Sequence, residues 1–187
     1  MRVVRSLRAV AAASAAASLL LAGCAGPGFI GPAQGIEFEL SGRLAVNYRN
    51  EAASGNIAWR HVTDEDELMI TSQLGQGIVR IVRAGGEVTL TRSDAGEFRA
   101  PDAESLTERV LGFRLPLAGL ADWVRARPAP GPVPEPTLVR RDAQGRLAEL
   151  EQSGWRVEYQ DYAGALPSRL RLSYPGLELR LAISEWK

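Results

Sequence analysis

Few side chains in this sequence could support acid–base or metal chemistry. The one histidine, His61, lies in the segment "RHVTDEDE", beside the acidic run 64–67. Histidine is the usual general base near neutral pH, but a lone histidine beside acids in a loop is generally solvated. The acidic run lacks the alternating ligand spacing of a calcium-binding loop. We therefore expect His61 and this run to form a solvated turn without a catalytic role.

The sequence motifs of common enzyme classes are also missing. The chain contains no Gly-x-Ser-x-Gly elbow, Walker A loop, His-Glu-x-x-His motif or paired-cysteine metal spacing. The segment "LGQGIVR" has two glycines but lacks the dinucleotide fingerprint. Carboxylate pairs that only the fold brings together stay open as an alternative, as in a lipid-modifying hydrolase. The sequence otherwise predicts a protein that is not an enzyme and that has no metal and no cofactor.

The single cysteine indicates a different chemistry. Arginines at positions 2, 5 and 8 precede an uncharged apolar run over about 9–22, which is typical of a secretory signal and too short to span a bilayer. The following "LAGC" fits the lipobox of bacterial lipoproteins at every position. That resemblance implies cleavage of residues 1–23, leaving Cys24 as the first mature residue with a diacylglycerol and an acylated amine. The alternative is an ordinary thiol after an ordinary signal peptide.

Acylation of Cys24 predicts permanent attachment to a membrane, since each buried methylene contributes about 0.8 kcal/mol and two or three chains suffice. Ala25 stands where Asp would signal retention in the inner membrane, so resemblance to lipoprotein sorting rules favours the outer membrane. Residues 24–35, rich in Gly and Pro, are expected to form a flexible lipidated tether. Residues 36–187 are long enough for one domain.

The charge of the mature chain argues against nucleic acid as a partner. The signal segment holds three of the 22 basic residues and no acid, so 19 basic and 22 acidic side chains give a net charge of −3. A strongly basic surface, the usual footprint of nucleic-acid binding, is therefore not expected.

Alternation of apolar and polar residues predicts β-strands. In Phe38–Tyr48 the apolar side chains share one face, and the polar side chains share the other. A pattern with one apolar face is typical of an antiparallel sheet with a single buried side. Turn signals at "NEAASG", "RAGG", "SDAGE", "DAQG" and "YPG" divide the chain into hairpins and predict roughly ten strands. Similar alternation occurs at Ile57/Trp59, Leu68/Ile70, Val88/Leu90, Trp155–Tyr159, Leu170–Tyr174 and Leu177–Ile183.

Two or three short helices should cover this sheet. In "APDAESLTERVLGF", Asp102 can cap a helix that ends at Gly112. In "LPLAGLADWVRARP", Pro116 suits the first turn and Pro128 can stop the helix. The segment 128–136, with proline at every second position, predicts a stiff polyproline-II loop.

Two short helices cannot bury the whole apolar face, so the sheet must curve onto itself. The residue pattern leaves two arrangements open: a closed barrel filled by side chains, or a partly open one with an apolar cavity. The candidates for lining the core or the cavity are Leu44, Val46, Trp59, Trp123, Trp155 and Leu172.

Several segments together resemble the LolB family of outer-membrane lipoprotein receptors. The resemblance runs from about Phe38 to Trp186 and includes all four tryptophans. It is carried, in order, by "FELSGRLAVNY", "GNIAWRH", "LxxxSQLGQG", "LGFRLPLAGLADWV", "QSGWRVEY", "LPSRLRLSY" and "LAISEW".

The resemblance implies a mainly β fold, a single curved antiparallel sheet forming a partly open half-barrel around an apolar cavity. It implies that the protein is an outer-membrane lipid-anchored monomer facing the periplasm. Such a receptor accepts the acyl chains of client lipoproteins, its transient ligands, from the periplasmic carrier LolA and inserts them into outer-membrane lipid without nucleotide hydrolysis. The alternative is a structural or assembly lipoprotein with a filled barrel.

The resemblance also assigns a role to the predicted turn "TSQLGQG". In the family, an exposed loop carries a leucine in a Pro-Leu-Gly motif, and here Gln73, Leu74 and Gly75 occupy those positions. Leu74 is thus expected to help release the lipid into the membrane, without being needed for its acceptance. Gln73 replaces the usual proline, which puts the stiffness of the loop in question.

Overall fold

The computed structural model describes residues 36–187, except Asp64 and Pro132. The predicted signal segment, the tether and Cys24 lie outside the described residues. The elements in chain order are β1 (Ile36–Tyr48), β2 (Glu51–Val62), β3 (Glu65–Thr71), β4 (Gly77–Ala84), β5 (Glu87–Arg92), β6 (Gly96–Ala100), α1 (Ala103–Leu111), α2 (Leu117–Trp123), β7 (Leu138–Arg141), β8 (Leu147–Gln152), β9 (Trp155–Ala163), β10 (Leu166–Tyr174) and β11 (Leu177–Trp186).

The eleven strands form one antiparallel sheet in the order β6-β5-β4-β3-β2-β1-β11-β10-β9-β8-β7. Each half of this order is a meander of consecutive hairpins, and the pairing of β1 with β11 joins the two meanders. The edge strands β6 and β7 do not pair with each other, so the sheet does not close into a barrel. The predicted open half-barrel of mainly β structure with two short helices is confirmed, and the closed barrel is not formed.

The predicted alternation places apolar side chains on the inner face of the sheet. Residues that pair across strands share a face, as in the row formed by Leu44, Leu181 and Leu170. The outer face carries mainly polar and charged side chains, including Arg171 opposite Glu158. Burial of the inner face is the main source of stability, at about 25 cal/mol per Å² of apolar surface removed from water.

The two helices cover the inner face because the chain must cross from one edge of the sheet to the other. It leaves the sheet at β6 and re-enters it at β7, and α1, α2 and residues 124–137 make the crossing. Leu106 of α1 and Leu117 of α2 are buried in the same core as the strands. The Trp123 ring lies 6.2 Å from the Trp155 ring of β9.

The first helix has both predicted ends. The Asp102 carboxylate accepts a hydrogen bond from the Ser105 backbone N–H at 2.7 Å. Gly112 adopts a left-handed conformation with a φ of 86°, and its N–H donates to the Glu108 carbonyl.

The second helix ends at Trp123, before the predicted stop at Pro128. The Arg125 guanidinium donates to the Ala121 carbonyl at 2.9 Å, which satisfies one of the last helical carbonyl groups. The backbone then turns through Ala126, whose φ is 56°. The early stop therefore comes from local capping rather than from proline.

The predicted turn at "NEAASG" is wrong in extent, because β2 already begins at Glu51. The turn consists of Arg49 and Asn50, with φ values of 50° and 68°, and Tyr48 pairs with Glu51. Two consecutive positive φ angles define a type I′ hairpin, which matches the twist of the flanking strands. Within residues 36–187, Asp64 and Pro132 aside, no helix is long and apolar enough to cross a membrane.

We predict that Asp102→Ala lowers the free energy of unfolding by about 1 kcal/mol, because α1 loses its N-terminal cap. Hydrogen bonds from the Ser105 backbone N–H and hydroxyl lower the pKa of the Asp102 carboxyl. The charged cap therefore stabilises the fold above the unfolded-state pKa, and this contribution is lost as the pH falls through the lowered pKa.

Urea unfolding from neutral to acidic pH, comparing Asp102→Ala with Asp102→Asn, tests this prediction. Asn keeps a capping oxygen without a charge, so its loss should be smaller than that of Ala, and both losses should shrink as the pH falls and the wild-type carboxylate is protonated. Equal losses for both variants at all pH values would contradict the assignment.

Candidate functional site

The most exposed large apolar side chain of the described residues belongs to Leu74, which is 89% exposed. It lies at the tip of the β3–β4 hairpin, in the loop 72–76. Ile78, at the start of β4, is also exposed. Full burial of a leucine side chain stabilises a fold by about 1.5–3 kcal/mol. The exposed Leu74 side chain does not contribute this free energy, unlike the core residues.

Hydrogen bonds hold the loop in a defined turn. The Ser72 N–H donates to the Gln76 carbonyl at 2.8 Å, and the Gly75 N–H donates to the Ser72 carbonyl at 2.9 Å. Gly75 has a φ of 80°, whereas Leu74 does not have a positive φ. This combination is a type I turn over Ser72–Gly75 whose fourth residue is a left-handed glycine. The apolar tip is therefore presented by an ordered turn.

Gln73 occupies the second position of this type I turn. Proline is favoured at that position because its ring fixes φ near the required value. Gln73 is absent from the backbone donors that close the loop, so proline at this position would remove no hydrogen bond described there.

The inner face is uncovered at the end nearest the β1–β2 hairpin. Leu44 and Val46 are only half-buried, and Ala53, which pairs with Val46 on the same face, is exposed. The Tyr48 ring lies 5.7 Å from the ring of Phe113, in the link between α1 and α2. These five side chains form an apolar rim where the sheet meets its helical cover.

The other predicted lining residues lie inside a packed core. Trp59, Trp123, Trp155 and Leu172 are all buried. The six predicted residues therefore fall into two groups. These four residues belong to the core, whereas Leu44 and Val46 lie at the rim.

Buried hydrogen bonds fix the tryptophans and the proline-rich segment. Trp123 Nε1 donates to Gln152 Oε1 at 2.8 Å. Gln152 Nε2 donates to the Ala129 and Pro134 carbonyls, both at 2.9 Å. Burial raises the pKa of Tyr159 above its ordinary value, so its hydroxyl stays protonated and donates to the Trp123 carbonyl. Gln152 thus ties the segment 128–136 to the sheet.

The expectation that His61 and the acidic run form a solvated turn is wrong. His61 ends the buried face of β2, and Asp66 is buried on β3. Asp66 receives hydrogen bonds from Trp59 Nε1 at 2.9 Å and from Arg83 Nε at 2.7 Å, and the His61 ring nitrogen Nδ1 lies 2.7 Å from it.

Glu67, the next residue, is also buried, on the opposite face of the sheet. It accepts hydrogen bonds from Arg60 at 3.1 Å and Arg80 at 2.7 Å. The acids are paired because a buried carboxylate needs compensating charges and donors. Asp66 and Glu67 occupy consecutive positions of β3, so their side chains point to opposite faces of the sheet. This alternation is the sequence signal that could have identified them as strand residues. The arrangement neutralises charge and has no open position at Asp66 for a reacting group.

The chain resembles known proteins over nearly all of the described residues. The family model described as "Outer membrane lipoprotein LolB" matches residues 36–186. The outer-membrane lipoprotein LolB of Nitrosomonas europaea is 39% identical over 190 residues, covering 90% of this chain and 88% of the relative. That of Thiobacillus denitrificans is 42% identical over 149 residues, covering 79% and 78%. That of Chromobacterium violaceum is 36% identical over 179 residues, covering 91% and 94%.

We predict that Gln73→Pro raises the free energy of unfolding by about 0.4–1 kcal/mol, because proline restricts the unfolded chain and its fixed φ suits the second position of a type I turn. Chemical denaturation measures the change. Leu74→Pro is the matched control, since proline at the third position of a type I turn is disfavoured and should destabilise the protein. A destabilising effect of Gln73→Pro would contradict the turn type.

Proposed function

The chain belongs to the LolB family of outer-membrane lipoproteins, and from this we propose that acyl chains are accepted at the apolar rim and released at the Leu74 loop. As a member of that family, the protein is a non-catalytic receptor of the lipoprotein-localisation pathway at the outer membrane. Our proposal further includes acylation of Cys24, orientation towards the periplasm, a monomeric state, and receipt of client lipoproteins from the carrier LolA.

A receptor of this kind is needed because lipoprotein anchors are insoluble. A triacyl anchor contains tens of methylenes, and about 30 kcal/mol of apolar burial would be lost if the anchor passed through water. The chains must therefore move between shielded apolar surfaces. The sequence has no Walker A motif, which is consistent with transfer down an affinity gradient rather than by nucleotide hydrolysis.

Acceptance begins at the apolar rim, where the inner face is only partly covered. Leu44 and Val46 offer apolar surface there, and the small, exposed Ala53 opposite Val46 leaves room beside the sheet. Deeper insertion requires α2 and the segment 124–137 to move away from the sheet, because Trp123 is fully buried against it. The acyl chains would then replace contacts between apolar side chains, so little apolar surface would meet water.

Release takes place at the β3–β4 loop. An exposed leucine on an ordered turn loses nothing on entering a bilayer and gains about 1.5–3 kcal/mol of burial. In this proposal the apolar tip of the receptor enters the acyl region of the target membrane. The observation that carries the proposal is the 89% exposure of Leu74 at a turn that holds it away from the core.

We predict that Leu74→Glu leaves folding and the acceptance of acyl chains intact but reduces lipoprotein delivery to membranes by at least tenfold. A carboxylate is costly to place in the bilayer, whereas the loop makes no contribution to the core. Delivery is measured as the lipoprotein fraction that co-floats with liposomes after transfer from LolA. Acceptance is measured by displacement of a bound fluorescent fatty acid.

Val139→Glu is the matched control, because Val139 is an exposed apolar residue on the edge strand β7, away from the loop. It should deliver lipoproteins at the wild-type rate. Unchanged delivery by Leu74→Glu would show that the loop is only a turn. A lack of displaceable fatty-acid binding in the wild type would favour a structural lipoprotein with a filled core.

A further inference from the structure

An arginine-lined pocket of ≈ 290 Å³ lies on the outer face of the sheet, opposite the apolar core. It spans β2, β1, β11 and β10 and reaches the Leu74 loop through Gln73. Its polar lining consists of Arg43, Ser54, Asn56, Gln73, Arg169 and Arg180, with Gln160 of β9.

Strand register explains why this pocket exists. Ala182 of β11 pairs with Arg43 on one side and with Arg169 on the other. Neighbouring strands are about 4.8 Å apart, so the backbones of the two arginines stand about 10 Å apart, with only a methyl group between them. Arg180, two residues from Ala182 along β11, points to the same face. Three guanidinium groups therefore surround the space above Ala182.

Irregularities in the flanking strands deepen the space. The pairing of β1 with β11 shifts register between Ser41 and Gly42, and the pairing of β10 with β9 shifts around Arg169. Such bulges bend a strand and increase its local twist. A side chain at position 42 would lie 2.1 Å from the Ala182 carbonyl oxygen, so glycine is required for this close approach.

The charges around the pocket favour an anion. Asp161 lies 3.3 Å from Arg169, and Glu178 lies 2.7 Å from Arg180, so these two guanidinium groups are held in place. Among the ion pairs between described residues (36–187 without Asp64 and Pro132), none involves Arg43, whose side chain is exposed. Because each guanidinium has five N–H donors, the paired arginines retain donors for a second acceptor.

The position of the pocket identifies the kind of anion. Gln73 borders it, and the adjacent Leu74 is the exposed apolar tip; Asn56, also in the pocket, donates to the Ser72 carbonyl at 3.4 Å. A phosphate group beside an apolar chain is the arrangement found in a phospholipid. We infer that this pocket binds the phosphodiester of a membrane phospholipid while Leu74 enters the acyl region beside it. The inference rests on the proposed function of Leu74.

The test uses the mature chain 24–187 with Cys24→Ala, which carries no acyl chains of its own. Its co-flotation is compared between neutral phosphatidylethanolamine–phosphatidylcholine vesicles and neutral galactolipid vesicles, which contain no phosphate. Neither vesicle carries a net surface charge, so a difference in binding between them is attributed to the phosphodiester group. We expect preferential binding to the phospholipid vesicles, and about tenfold weaker binding for Arg43→Gln, since hydrogen bonds between charged groups are the stronger ones.

Arg99→Gln is the matched control. Arg99 is an exposed arginine on the edge strand β6, and this substitution removes the same charge as Arg43→Gln. The Arg99→Gln variant should bind each vesicle type as strongly as the parent chain does. Equal binding to both vesicle types, or equal effects of Arg43→Gln and Arg99→Gln, would overturn the inference. Saturable binding of glycerophosphate alone, without preference for phospholipid vesicles, would also overturn it by assigning the pocket to a soluble anion.

The two proposals fail in different ways. Loss of delivery in Leu74→Glu combined with unchanged vesicle binding in Arg43→Gln would leave the release loop intact and remove the phosphodiester site. Thermal unfolding of each variant verifies that the fold is retained, which is expected because the Arg43 side chain is exposed.

Discussion

The pairing of β1 with β11 is the interaction on which the rest of the structure depends. It joins two meanders into one eleven-stranded sheet and leaves β6 and β7 as unpaired edges. A sheet with one apolar face and no closure must be covered by another part of its own chain. The connection from β6 to β7 provides this cover because it has to cross the open side. The half-barrel, its two helices and the uncovered rim all follow from this connectivity.

The same sheet keeps its two apolar exposures separate. The rim around Leu44 and Val46 belongs to the inner face, whereas Leu74 extends from the β3–β4 turn beside the outer-face pocket. Strand β3 is anchored at its start by Asp66, through Trp59 and Arg83, so that the turn at its other end has a fixed base. An ordered base is useful to a membrane wedge, because contact with the bilayer then requires little additional ordering of the chain.

The features that were predictable from sequence are those with a local cause. Alternation over Phe38–Tyr48 predicted β1, and the Asp102 and Gly112 caps predicted both ends of α1. The turn at Leu74 also followed from its glycines. The turn between β1 and β2 was predicted too long because the two positive φ angles at Arg49 and Asn50 come without the usual Asn-Gly signal.

The partners of the buried polar groups could not be predicted, because only the fold brings them together. Asp66 is satisfied by Arg83, which lies 17 residues later, and Gln152 by Trp123, which lies 29 residues earlier. Packing was unpredictable for the same reason. The alternation placed Trp59 and Leu44 on one face, but the path of the helical cover decides that the first is buried and the second lies at the rim.

A spin label at position 74 can show whether the Leu74 loop enters the membrane during delivery, as we propose. Cys24 is the only cysteine, so once it is acylated Leu74→Cys provides a single reactive thiol. In liposomes receiving a lipoprotein, we predict that the label becomes accessible to apolar oxygen and protected from a water-soluble nickel complex. The same label at Arg99 should stay accessible to the nickel complex. A label at position 74 that remains exposed to the nickel complex throughout delivery would show that the loop does not enter the membrane.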